Sequence, residues 1–149
     1  MIGIRNIFRL AADQAVAASV VLTDVTGLAA NLASGQRAKF RFYVPCAVAG
    51  AASGIALEVI TTVAPAQWNA AYKIINGSTS AFGKVSVQTA QAAVSNALAN
   101  IANHLAEIEG EVTGGATASV LKLQFAQLVS DAAAATILRG ATLEVVYES

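Results

Sequence analysis

Charge is scarce in this chain. Lys, Arg, Asp and Glu make up 12% of its 149 residues, and the nine basic and nine acidic side chains cancel. The usual charged share is about 25%. A nucleic-acid binder needs surplus Lys and Arg to displace phosphate counterions, so that class is excluded. Histidine and cysteine occur once each, as His104 and Cys46. Zinc centres take three or four His, Cys or carboxylate ligands, and these two soft ligands lie far apart in sequence. Cys46 has no partner for an internal disulfide and reads as a small buried filler. No cysteine, acid or glycine stands at a recognised catalytic spacing from His104. It falls just before a predicted strand, where a solvated or hydrogen-bonded imidazole is ordinary.

Long apolar runs are lacking as well. Phe42 to Leu57 is 16 uncharged residues interrupted by Pro45, Gly50 and Gly54, and Val85 to Ala106 is studded with Gln and Asn. A membrane-spanning helix wants about 20 predominantly apolar residues. Asp13 and Gln14 break the Ala-rich N-terminal stretch, which argues against a signal-peptide core. No glycine motif precedes a helix start with Lys-Ser/Thr, so none suits a phosphate. Aromatic residues are only 6% of the chain, too few for a platform stacking single-stranded nucleic acid.

What the chain has is small apolar side chains. The apolar share is 56%, and 34 residues are alanine. Disordered chains are poor in hydrophobes and rich in charge, so the chain folds. A monomer this poor in charge is weakly protected against association, which points to a surface covered in part by partner chains.

The organising pattern has period two. Phe40, Phe42 and Val44 share one face of Lys39–Val44, with Lys39, Arg41 and Tyr43 on the other, as a half-buried strand requires. Pro45 removes a ladder donor and is expected to end the run. Ile55, Leu57 and Val59 repeat the scheme, as do Ile108 and Val112 opposite Glu107, Glu109 and Glu111. Leu121, Leu123 and Phe125 follow, then Leu143, Val145 and Tyr147. Weaker strands are predicted at 19–23, 68–75 and 82–87, with Gly83 a bulge candidate. Ile2, Ile4, Phe8 and Leu10 predict an apolar-faced strand or arm. Ser34-Gly35, Asn76-Gly77-Ser78, Gly114-Gly115 and Arg139-Gly140 read as turns. Short strands punctuated this way predict an all-β, antiparallel sandwich or jelly roll. The exception is Thr89–Leu105, where Val94, Leu98, Ile101 and Leu105 recur at helical intervals. This predicts either one short helix around 90–104 or an irregular crossover, since Ala favours a helix while Asn and Ser do not. The organisation expected is an N-terminal arm over 1–19 and a single β-sandwich domain over 20–149.

The carboxylates Glu107, Glu109 and Glu111 project from one strand face. Such a row can bind Ca²⁺ or form a solvated face pairing Lys39 or Lys122 across strands; the absence of Asp/Asn loop ligands favours the second. Glycosidase chemistry needs two carboxyls facing across a cleft, which three on one strand do not provide. Trp68 and Tyr72, four apart on a strand, share a face. They pack a core or offer a sugar or subunit contact.

Four stretches taken together resemble a known family. They are Val20 to Leu28, Ala38-Lys39-Phe40-Arg41-Phe42-Tyr43-Val44-Pro45, Gly54-Ile55-Ala56-Leu57, and the tail from Ile108 to Val145. The tail includes Leu121-Lys122-Leu123-Gln124-Phe125-Ala126-Gln127 and Leu138-Arg139-Gly140-Ala141-Thr142-Leu143. Their order is similar to a small β-domain of tailed-bacteriophage virion structural proteins, found in capsid decoration (cement) proteins and fibre tips. The resemblance spans roughly residues 20–146 and leaves Thr89–Leu105 unplaced. It implies a jelly-roll-like sandwich that assembles, usually as a trimer, without enzymatic activity.

The first expectation is therefore a non-enzymatic capsid decoration protein, a homotrimer seated on the outer capsid surface of the virion. Its partners are itself and the major capsid protein, and Ile4, Phe8 and Leu10 form the contact arm. No cofactor, metal, nucleic acid, membrane or small-molecule substrate is expected. The short lead before the domain, without a repetitive shaft, favours decoration over a fibre. The alternative is a receptor- or carbohydrate-binding module at a fibre tip, with Trp68, Tyr72 and Asn69 as its platform. A jelly-roll metalloenzyme of the cupin kind needs several His ligands, and one histidine does not supply them.

Overall fold

The computed structural model describes residues 3–50, 53–77, 81–98 and 101–148. Ile2 of the predicted arm and Ser78 of the predicted turn lie outside them. Twelve strands run in chain order: β1 (Ile4–Arg9), β2 (Gln14–Val16), β3 (Thr23–Leu32), β4 (Arg37–Val48), β5 (Ile55–Thr61), β6 (Gln67–Asn76), β7 (Ala81–Gln88), β8 (Val94–Asn96), β9 (Ile101–Thr113), β10 (Ser119–Ala126), β11 (Ala135–Ile137) and β12 (Thr142–Glu148). The larger sheet has the order β1-β12-β4-β9-β6-β7, with β11 joining β2 to β4, and the smaller is β3-β10-β5-β8. Every pairing is antiparallel. From β3 to β11 the chain alternates between the sheets, with the β6–β7 hairpin inserted as a unit in the larger one, and β12 then stays in the larger sheet beside β4. That alternation makes the sandwich jelly-roll-like.

The alternating apolar residues meet between the sheets. Phe40, Phe42, Val44, Tyr72, Ile74, Ile108, Leu143 and Val145 of the larger sheet face Leu28, Leu32, Ile55, Leu57, Val59, Leu121, Leu123 and Phe125 of the smaller, and all are buried. Phe40 stacks on Trp68 at 5.3 Å between ring centroids. Tyr72 crosses the core: its Oη accepts the backbone N–H of Val59 at 2.9 Å.

Two local departures from regular strand keep this face continuous. In β3 the inward phase shifts from Val25 to Leu28, across a register irregularity against β10. Gly27 adopts φ +94° there, a conformation that costs a glycine little. The Gln14 amide serves the displaced Thr26 backbone, donating to its carbonyl at 2.7 Å and accepting its N–H at 2.9 Å. In the β6–β7 hairpin, Ile74 pairs with Lys84 and Ile75 with Phe82, so Gly83 is the extra, bulged residue.

Three predicted boundaries are corrected. Pro45 does not end its strand, because β4 continues to Val48. It sits where the neighbour changes, after Tyr43 pairs with β12 and before Cys46 pairs with β11. Its carbonyl accepts from Leu138 N on that side. A strand residue's N and C=O point the same way, so the missing N–H takes no bond from β9. Residues 19–22 are loop rather than strand, and β3 begins at Thr23. Finally, no helix forms among the described residues of 89–105. Val94 pairs with Leu57 in the smaller sheet, and 101–105 already belong to β9. Val94 and Leu98 reach the core from extended backbone, so tertiary burial overrides a helical spacing that Asn and Ser support poorly. Among the described residues no helix is long and apolar enough to cross a membrane.

Candidate interaction surface

The residues predicted to contact partners part company in the structure. In β1, Ile4 is 69% exposed and Phe8 half-buried, while Leu10, just beyond the strand, is buried and tied to β12's approach by Leu10 N–H to Ala141 O at 2.8 Å. Leu10 is thus a core residue and not part of a contact arm. The stretch read as an arm contributes two strands, β1 and β2, to the larger sheet. Tyr72 is wholly buried and Trp68 nearly so, so the two do not form an accessible platform with Asn69. Asn69 itself is exposed, and its Oδ1 accepts Glu111 N–H at 3.2 Å. Trp68 and Tyr72 point inward because they share the core-facing phase of β6 with Ala70 and Ile74, while Asn69 takes the opposite face.

The outer face of that sheet gathers the charge. Registers place Arg5 and Arg9 on β1, Glu144 and Glu148 on β12, Arg37, Lys39 and Arg41 on β4, Glu107, Glu109 and Glu111 on β9, and Lys73 on β6, all on one side. These are eleven of the eighteen ionic residues of the chain. Each strand carries one sign and its neighbour the other. Arg5 meets Glu144 at 2.8 Å, Lys39 meets Glu148 at 3.0 Å, and Arg41 reaches Glu107 at 3.6 Å. Arg37 engages both Glu111 and Glu148, the latter at 3.1 Å. Such exposed pairs are worth about 0–1 kcal/mol each. They discriminate register and keep this face hydrated more than they stabilise the fold. The glutamate row pairs with Arg37 and Arg41 rather than with the predicted Lys39 or Lys122: Lys39 bridges to Glu148, and Lys122 lies on the other sheet, where it binds Asp24 at 2.7 Å. Lys122 and Gln124 hold the Asp24 carboxyl below the usual range.

One end of the sandwich has the opposite character. The loop before β3 and the loop after β10 are locked together by Gln127, a buried amide. Its Oε1 accepts from Ser19 N at 3.1 Å and Asp131 N at 3.2 Å, and its Nε2 donates to Ala133 O at 2.7 Å. Ala18, at φ +52°, donates its N–H to Asp131 O at 2.7 Å. The Asp131 carboxylate accepts Ala133 N–H at 2.8 Å, so this acid is turned to the backbone. Fixed on these loops, Val20, Val21 and Val129 are 55%, 70% and 53% exposed. No local sequence pattern marks this apolar tip. Val20-Val21 is indistinguishable from a strand start by composition, and Val129 lies over a hundred residues away.

The groups weighed for chemistry are packed away. His104 is buried in β9, and its Nδ1 accepts Gly77 N–H at 3.0 Å. Burial pushes the Cys46 thiol up to about 12 and the Tyr72 phenol up to about 12, so both stay neutral at physiological pH. Burial also raises the Glu58 carboxyl. Among the described residues no three His, Cys, Asp or Glu side chains cluster as metal ligands would.

No family model and no curated protein matches the chain. Among solved structures it is similar to that of the infectious bursal disease virus Gt strain, with 12% identity and a TM-score of 0.27 over 98% of this chain and 37% of that one. The Gx strain structure gives 12%, 0.30, 98% and 36% in the same order. The VP2 subviral particle of infectious bursal disease virus gives 10%, 0.27, 97% and 40%. The chain spans at most 40% of the length of these proteins. At TM-scores of 0.30 and below, the likeness adds nothing to the strand topology.

Proposed function

We propose that the chain is a non-enzymatic virion structural protein. In this reading it is a decoration protein of a tailed-bacteriophage capsid that assembles as a homotrimer on the outer shell and clamps the major capsid protein. The observation that carries the reading is the partition of charge. The outer face of the larger sheet holds most of the ionic groups, and the tip of Val20, Val21 and Val129 presents none that is free. Residues on a rotation axis of a homo-oligomer meet their own copies, so like charges there repel, whereas a neutral apolar tip is self-compatible. The charged face then remains toward water. The sequence resemblance supplies the viral setting and the trimer.

The fibre-tip alternative loses support, because its aromatic platform is in the core. Two measurements test the proposal. Sedimentation velocity on the purified chain is expected to give a trimer, and gold-labelled antibody on purified particles is expected to decorate the head. A chain that stays monomeric at high concentration, or label confined to the tail, overturns it.

A further inference from the structure

At one corner of the sandwich the β5–β6 loop and the segment after β7 enclose a cleft of about 490 Å³. That volume lies in the about 300–1,000 Å³ range of small-molecule sites. Its walls are Pro65, Gln67, Trp68, Thr89, Gln91 and three alanines, and none of them is charged. Gln91 Nε2 donates to Thr61 Oγ1 at 2.8 Å, which leaves its amide oxygen for a ligand. Trp68, which lines the cleft, and Gln88, the residue before Thr89 of the lining, each carry a buried polar atom with no partner among the described residues, Nε1 and Oε1 respectively. The Gln88 amide nitrogen is already used, donating to Ala92 O at 3.0 Å. The β6–β7 register sets Gln88 opposite Ala70, so Gln88 and Trp68 project from the same sheet face as diagonal neighbours. Diagonal positions are within reach of long and aromatic side chains.

One orphan is a donor that cannot accept, the other an acceptor that cannot donate. A hydroxyl is the group that serves both, accepting from the indole N–H and donating to the amide oxygen. An anion finds no cation in these walls, an apolar ligand leaves both atoms unpaired, and a peptide carbonyl answers only the indole. We propose that this cleft binds a neutral saccharide, held by hydrogen bonds to the edge of Trp68, Gln88 and the Gln67, Thr89 and Gln91 rim. Stacking on the indole is not the mode, because Phe40 covers one ring face at 5.3 Å and Trp68 as a whole is only 8% exposed.

Trp68 is the single tryptophan, so its emission reports on the cleft. The full chain is titrated with maltotriose, cellotriose and chitotriose, and with sialyllactose and inorganic phosphate as charged probes, by fluorescence and by calorimetry. Saturable binding of a neutral sugar is expected, with no response to the charged probes. Trp68→Phe keeps an aromatic ring but removes the N–H, and Thr89→Val changes only the exposed rim. Each is expected to weaken calorimetric affinity about five- to tenfold, the equivalent of one hydrogen bond. The proposal is overturned if no neutral sugar binds below about 10 mM, if the charged probes bind equally, or if neither variant weakens binding. The test is independent of assembly: a monomer that binds sugar sinks the decoration reading and keeps this one, and a trimer that binds none does the reverse.

Discussion

Lysine at position 21 is the sharpest perturbation of the proposed assembly. Full burial of an aliphatic side chain is worth about 1.5–3 kcal/mol. Val21, at 70% exposure, therefore has about 1–2 kcal/mol still to gain, or about 3–6 kcal/mol over three copies. Val21→Lys forfeits this and brings three ammonium groups toward the axis. At roughly 8 Å and an effective dielectric of about 40, each pair repels by about 1 kcal/mol, about 3 kcal/mol in all. The combined loss of about 6–9 kcal/mol is four to six orders of magnitude in the trimer association constant. Sedimentation velocity across a concentration series is expected to show a monomer throughout. Val21→Ser removes only the apolar share and should fall between the two. Because the Debye length shrinks to about 3 Å at 1 M salt, the lysine variant should approach the serine variant there. The side chain lies outside the core, so the thermal midpoint of the monomer should hardly move. A lysine variant that trimerises as tightly as the wild type refutes the placement of this tip at an axis.

Other outcomes follow from the core. Tyr72→Phe leaves the buried Val59 N–H without its acceptor and is expected to cost about 1–3 kcal/mol in urea unfolding; Tyr72→Ala, which empties the site, should cost about 3–5 kcal/mol. Alkali should unfold the protein through Cys46 and Tyr72, whose unfolded values are 9.0 and 10.0 and whose folded values are both about 12. The unfolded chain releases these protons first, so their contribution is intact below pH 9 and falls as pH rises toward 12, by about 1.4 kcal/mol per pH unit between each pair of values. Urea midpoints measured from pH 8 to pH 11.5 should therefore decline less steeply in Cys46→Ala and in Tyr72→Phe; an unchanged slope in both would count against burial as the cause. Gly110→Ala would press a methyl group against the Asn69 carbonyl and to 2.6 Å from Phe40 Cζ. It should destabilise by about 1–3 kcal/mol in urea unfolding.

Period two told most of the fold. The inward faces of β4, β5, β10 and β12 were legible residue by residue, because one alternation suffices to name a half-buried strand. The bulge at Gly83 was legible for the same reason, as a glycine interrupting that rhythm. Legibility failed where the local signal and the tertiary environment disagree. Val94 and Leu98 keep a helical spacing, yet Val94 pairs in the smaller sheet and Leu98 is buried from the segment after β8. Pro45 is a strand breaker in isolation, and only the handover from β12 to β11 makes its missing donor harmless.

The interaction surface shows the same divide more sharply. The sign of each strand could be read in advance: Lys39 and Arg41 are positive, and Glu107, Glu109 and Glu111 are negative. Their juxtaposition could not, since β4 and β9 are brought together by a jelly-roll crossover that no local pattern encodes. Low overall charge points to a surface covered in part by partner chains. The fold concentrates the ionic groups, with opposite signs on adjacent strands of one face. An even scatter of the same few charges would leave every side weakly soluble and weakly adhesive. Concentrating them lets one face stay hydrated while the valine tip, held rigid by Gln127, keeps an apolar surface for its own kind. The few charges are therefore unevenly spread, gathered on a face that also exposes Ile7, Tyr43, Val85 and Val87 and missing from the valine tip.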